Sequence, residues 1–140
     1  MQKPLEIVPA VKAEYVRART DKYFSKSREV VEKFGDKTVT YGVFMRRRVI
    51  CAINPAIELL REYYPADATP LKITRLYEEG AFVPDQKPMF TYTGSFAQLL
   101  ELETLILQRT GVASVSAYNA YKMAMNLPKT LFIEIGRAHV

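Results

Sequence analysis

The chain is poor in the residues that most often announce chemistry. Its 140 residues include one cysteine, one histidine and no tryptophan. A lone Cys51 excludes an intrachain disulfide and a cysteine-rich metal site. Flanked by Ile50 and Ala52, it reads as a buried, inert thiol rather than a reactive one. No His/Cys/carboxylate set has metal-ligand spacing, so no metal site is expected. The only Ser–His pairing available would have to use His139, at the very end of the chain. Neither glycine-rich phosphate loop, G-x-x-x-x-G-K-[ST] or G-x-G-x-x-G, occurs. No apolar run approaches the ~20 residues of a membrane span. Met1–Ala10 carries an acidic residue and two prolines where a signal peptide needs a long apolar stretch. The expectation is a soluble, cytoplasmic protein with no membrane partner.

What the chain does have is a globular balance. Hydrophobic residues make up 49% and charged residues 25%, enough for one domain of ordinary size with a real core. The net charge of +5 permits an anionic partner without selecting one. The densest basic cluster, Arg46–Arg48, ends a strand pattern. A solvated strand end, an anion contact and a nucleic-acid contact are its possible readings, and a nucleic-acid partner is not expected because the charges are otherwise dispersed.

Periodicity divides the chain. Residues 1–11 read as an extended arm containing Pro4 and Pro9. A helix is expected from about Glu14, with Tyr23, Ser27, Val30, Val31 and Phe34 on its buried face and Gly35 as its stop. Alternation of Val39, Tyr41, Val43 and Met45 predicts a half-buried strand. Pro55 suits a helix first turn with Asn54 as cap, and Ala56, Leu59, Leu60 and Tyr63 as buried stripe. Strands are expected over 71–77, 81–83 and 88–93. Glu78 and Glu79 could act as paired carboxylates, but neighbours on a strand face opposite ways, so a solvated turn is the expectation. Ser95 and Gln98 have capping-box spacing and open a helix that Gly111 should end. A further helix from Ser114 places Tyr118, Tyr121, Met123 and Met125 in core or interface packing. Thr130–Ile133 reads as a buried strand.

The order of features from Tyr15 to Ile133 resembles the N-terminal part of nicotinate phosphoribosyltransferase, a type II phosphoribosyltransferase. Thr20-Asp21-Lys22-Tyr23-Phe24 is similar to the family's T-D-x-Y segment. Thr38–Arg48 and the helix from Pro55 resemble its first long strand and the helix packed on it. Glu79–Pro84 followed by Pro88–Gly94 resembles its strand pair closing on a glycine turn. Leu102-Glu103-Thr104-Leu105 and Gln108–Ser114 resemble its L-E-T-L helix and G-[IV]-A break. Together these cover most of the chain.

The resemblance implies an α/β (α+β) fold: an N-terminal α/β sandwich over 12–94, then helices and the first strand of a truncated α/β barrel over 95–133. It implies a parent enzyme that joins nicotinate to phosphoribosyl pyrophosphate, coupled to ATP with Mg, in NAD salvage, and that works as a homodimer. Tyr23, Thr20, Asp21 and Thr104 become the implied substrate-binding residues, with Tyr23 facing the nicotinate ring across the dimer. Tyr23 fits a core position on its helix equally well. Catalytic residues, and any cofactor site, are expected in the missing barrel, so the 140-residue chain is expected to be inactive. Thr104 stands where quinolinate phosphoribosyltransferases carry an Arg for a second carboxylate. The alternatives are that quinolinate enzyme, or a stand-alone α/β anion-binding module.

Residues 134–140 read as a non-native tail. The codons GAG ATC GGA AGA GCA CAC GTC TGA encode Glu134–Val140 and a stop, and contain a widely used sequencing adapter. For that reason Arg137 and His139 are assigned no active-site role. The source DNA is expected to show that string, and different natural codons would overturn the reading.

Overall fold

The computed structural model describes residues 9–133. The predicted tail at 134–140, with His139, lies outside the described residues, as does most of the predicted arm. Helices α1 (Pro9–Arg17), α2 (Lys22–Phe34) and α3 (Asn54–Tyr63) are joined by a much longer α4 (Phe96–Asn126). The strands are β1 (Thr38–Phe44), β2 (Val49–Ile50), β3 (Lys72–Arg75), β4 (Phe82–Val83) and β5 (Pro88–Ser95).

β5 is the central strand of an antiparallel sheet in the order β1-β5-β3, and β2 pairs with β4 in a two-stranded ribbon. Tyr41 lies directly across from Tyr92, and the two rings stack with centroids 5.1 Å apart. Cross-strand aromatic pairs of this kind stabilise a sheet face. The buried core joins Val43 of β1 and Phe90 and Tyr92 of β5 to Ile57 and Leu60 of α3 and to Leu99, Leu102, Leu105 and Ile106 of α4. The mixed α/β expectation holds.

Gly94 has a specific cause. A Cβ there would lie 2.6 Å from the Tyr64 hydroxyl and 3.0 Å from the ring carbon that carries it. The Tyr64 hydroxyl accepts from the Ser95 N–H at 2.8 Å and donates to the Thr69 carbonyl at 2.5 Å. The ring thus fastens the loop after α3 to the end of β5, and only glycine leaves it room.

Several expectations fail for identifiable reasons. The extended arm over 1–11 is already helical from Pro9, because proline is tolerated in a first helical turn. α1 is fixed by buried Val16, by Tyr15 stacked on Tyr63 at 5.2 Å, and by Lys12 Nζ donating to the Glu62 carbonyl at 3.0 Å. The single helix expected from Glu14 to Phe34 breaks after Arg17. Much of the stripe assigned to its core face points outward instead: Tyr23, Val30 and Phe34 are exposed, Ser27 and Val31 are half-buried, and Phe24 is the buried residue of α2. Asn54 is not the cap of α3. Glu79 Oε2 accepts from the N–H groups of Ile53 at 3.0 Å and Asn54 at 3.3 Å, so a carboxylate read as a solvated turn caps a helix from a distance in sequence.

Gly111 does not end its helix. α4 runs through it for 31 residues. The Ser114 hydroxyl, one turn further on, is buried and accepts from the Ala52 N–H at 3.3 Å, holding the helix on course. The predicted strand over 130–133 is absent: Leu131 is 83% and Ile133 73% exposed. Met123 and Met125, expected in packing, are exposed too.

Gly94→Ala is expected to lower unfolding stability by about 1–3 kcal/mol, the cost of overpacking a filled site. Urea denaturation checks this, and an unchanged midpoint would show that Tyr64 can move aside.

Candidate functional site

The residues singled out by the T-D-x-Y resemblance sit where α1, α2 and α4 meet. The chain turns between α1 and α2 at Ala18–Asp21, and Thr20 fixes that turn by donating from Oγ1 to the Glu101 carbonyl at 2.5 Å. Glu101, 7% exposed, holds the same junction from α4 through its side chain. Its Oε2 lies 2.5 Å from Arg28 Nη1, and its Oε1 lies 3.9 Å from Arg17 Nε. Arg28 also bonds Glu32 one turn along α2, at 2.7 Å. A buried carboxylate paired and hydrogen-bonded in this way is costly to disturb from one side.

Asp21 occupies the cap position of α2 with extended backbone, but its side chain makes no cap hydrogen bond. It is exposed. Tyr23 is 59% exposed, which removes the core reading for this residue; its ring lies 4.0 Å from that of Phe24. Desolvation, then the charges of Glu103 and Asp21, push the Tyr23 hydroxyl upward.

Glu103 is the electrostatic centre of a tyrosine cluster, acting on Tyr23, Tyr41 and Tyr92. Burial pushes its own carboxyl up. Tyr41 is pushed up to about 12 by burial, then by Glu103 and Tyr23. Tyr92 is also pushed up, by burial first and then by Tyr41 and Glu103. Among the described residues Glu103 has no ion-pair partner. Thr104 does not join this surface through its hydroxyl. Its Oγ1 is buried without a hydrogen-bond partner among the described residues.

The structure therefore brings Thr20, Asp21 and Tyr23 to one turn of α4 and turns the Thr104 hydroxyl away from solvent. Glu101 and Arg28 went unrecognised in the sequence. A glutamate embedded in Leu99–Leu102 was the available signal, since a charge on a leucine-rich helical stripe needs a buried partner. The arrangement offers an aromatic face beside carboxylates. It offers no nucleophile–base pair among the described residues. Cys51 is buried, and burial first and Glu79 next push its thiol up to about 11. No described group of three His, Cys, Asp or Glu could hold a metal ion. No described helix is long and apolar enough to cross a membrane.

No protein-family model matches the chain, and no curated protein matches it by sequence. Solved structures do. A nicotinate-nucleotide pyrophosphorylase from Francisella tularensis superposes with a TM-score of 0.65 at 20% identity, over 91% of this chain and 44% of that one. A nicotinate-nucleotide pyrophosphorylase from Pyrococcus furiosus gives 0.57 at 20% identity, over 78% of this chain and 28% of that one. The chain thus spans less than half the length of either structure. The class this defines is a mixed α/β fold shared with part of these pyrophosphorylases.

Glu103→Gln gives a test of the tyrosine cluster. A carboxyl held above its ordinary value lowers stability where it is ionised, so the penalty is absent below the unfolded-state value and grows as pH rises past it. The variant is expected to melt higher than the parent at pH 7, with the gap closing below about pH 4. A lower melting temperature at pH 7 would mean that the carboxylate is a satisfied partner.

Proposed function

We propose that the chain is part of a type II phosphoribosyltransferase that makes nicotinate mononucleotide from a pyridine carboxylate and phosphoribosyl pyrophosphate. The observation that carries this reading is the fold likeness over 91% of the chain to a nicotinate-nucleotide pyrophosphorylase. The position of the T-D-x-Y segment supports it. Tyr23 presents an open aromatic face, and such a face suits a flat pyridine ring. Thr20 holds the segment to α4, which leaves Asp21 and Tyr23 to meet a ligand or a partner subunit across a homodimer.

The comparisons favour the quinolinate enzyme over the nicotinate enzyme first expected, because the two solved structures described above are named as nicotinate-nucleotide pyrophosphorylases rather than nicotinate phosphoribosyltransferases. In that reading quinolinate is the substrate and loses one carboxylate as carbon dioxide. Nicotinate with ATP hydrolysis is the second reading, and Thr104 favours it. A dicarboxylate needs a cation for each charge, and threonine supplies none at a position where the quinolinate enzymes carry Arg.

The full-length product of the source gene separates the two. Release of carbon dioxide from carboxyl-labelled quinolinate, dependent on phosphoribosyl pyrophosphate and indifferent to ATP, is the expected result. ATP-stimulated consumption of nicotinate would establish the second reading, and turnover of neither would overturn the proposal. The 140-residue chain alone is expected to turn over neither substrate.

A further inference from the structure

A groove of about 470 Å³ opens between α1, α3 and α4, and Tyr23 does not line it. It lies within the size range of small-molecule sites. Three helices converge on it: α1 and the turn after it supply Tyr15 and Arg19, α3 supplies Pro55, and α4 supplies Leu105, Arg109 and Val112. Two guanidiniums line it and no carboxylate does. Among the described residues neither Arg19 nor Arg109 has an ion-pair partner.

Arg19 is held in place. Its guanidinium carbon sits 3.9 Å from the centroid of the Tyr15 ring, and its Nη1 donates to the Tyr15 carbonyl at 3.3 Å. Tyr15 in turn stacks on Tyr63 with an interplanar angle of 21°. A guanidinium stacked on a two-ring platform has lost much of its conformational freedom while keeping N–H donors at its edge. Arg109 and Arg19 both lie within electrostatic reach of the Tyr63 hydroxyl, which burial first, then Glu62 and Tyr15, push upward and these cations pull back. The two charges therefore line one groove although one comes from the turn after α1 and the other from α4.

We propose that this groove binds an organic phosphate monoester, its phosphate held between Arg19 and Arg109 and its apolar body laid on Leu105, Val112 and Pro55. Two fork-shaped cations match the charge and the oxygens of a dianion better than those of a single carboxylate. The apolar floor is wetted by inorganic phosphate but covered by a ligand carrying a ring. The site does not depend on which pyridine carboxylate the parent enzyme uses, and its test is a binding measurement on this chain.

Phenyl phosphate is the probe, titrated into the isotope-labelled 140-residue protein with backbone amide shifts as readout. Saturable shifts are expected at Tyr15, Arg19 and residues 105–113, with inorganic phosphate about tenfold weaker and phenol without effect. Arg19→Gln and Arg109→Gln, both at exposed positions, should each weaken binding about tenfold, while Arg46→Gln leaves it unchanged. Shifts that map elsewhere, that survive in the double variant, or that phenol reproduces would overturn the proposal. So would self-association that the same arginine variants abolish, because the cations would then be serving the acidic groups of a second copy.

Discussion

The start of α4 depends on one carboxylate. Asp36, in the turn between α2 and β1, accepts from the Ala97 N–H at 3.0 Å and the Lys37 N–H at 2.9 Å, and from the Ser95 hydroxyl. That hydroxyl accepts from the Gln98 N–H at 3.3 Å, and the Phe96 N–H reaches the Lys37 carbonyl at 2.9 Å. The first three N–H groups of the helix are thereby all satisfied, and a negative charge sits at the positive end of its dipole. Burial pushes the Asp36 carboxyl up, but the bonds from Ser95 and from the backbone of Ala97, Lys37 and Phe96 outweigh it and hold the group below its ordinary value. A cap of this kind contributes about 1 kcal/mol. Its geometric effect reaches further, because it joins β1, β5 and α4 at a single point.

From that point α4 organises the other helices by polar contacts as well as by its leucines. Glu101 and the carbonyl of the same residue collect Arg28, Arg17 and Thr20, so α1 and α2 are oriented by one turn of α4. One residue pair further, Glu103 serves the sheet side, within reach of Tyr41 and Tyr92. Two glutamates separated by one leucine therefore address opposite neighbours, which follows from the ~200° between helix positions two apart. Tyr23 lies between the two: Glu101 holds the helices beside it, Glu103 acts on its hydroxyl, and its ring stays exposed.

The sheet was legible because its signals are local. Val39, Tyr41 and Val43 alternate, and the register that pairs Tyr41 with Tyr92 puts their partners on the same face. Ser95 and Gln98 announced the start of α4 through a spacing that a single turn dictates. Two of the misses depend on partners distant in sequence. Glu79 became a cap because α3 begins beside it, and Gly111 was absorbed into α4 because Ser114 is tied to Ala52. The outward turn of Val30 and Phe34 was hidden because one apolar stripe on α2 looks the same whether or not a neighbour covers it. Of the candidate site, the T-D-x-Y segment was legible as a motif. Arg28 and Glu101 were not, since their bond joins residues 73 positions apart.

The continuity of α4 through Gly111 has a mechanical side. Buried side chains grip the helix from Ala97 to Ser114, and the edge-on contact of Phe82 with Tyr121, at 4.8 Å, is a last brace. Beyond Ser114 about 18 Å of rod projects to Asn126. The helix is therefore a cantilever with its clamp at the sheet. A load on the last turns is resisted first at the Phe82–Tyr121 contact and at Ser114, well short of the capped end. A break at Gly111 would have separated the projecting turns from the gripped ones; the unbroken helix holds Met125 in fixed rotation relative to the buried stretch that packs on the sheet.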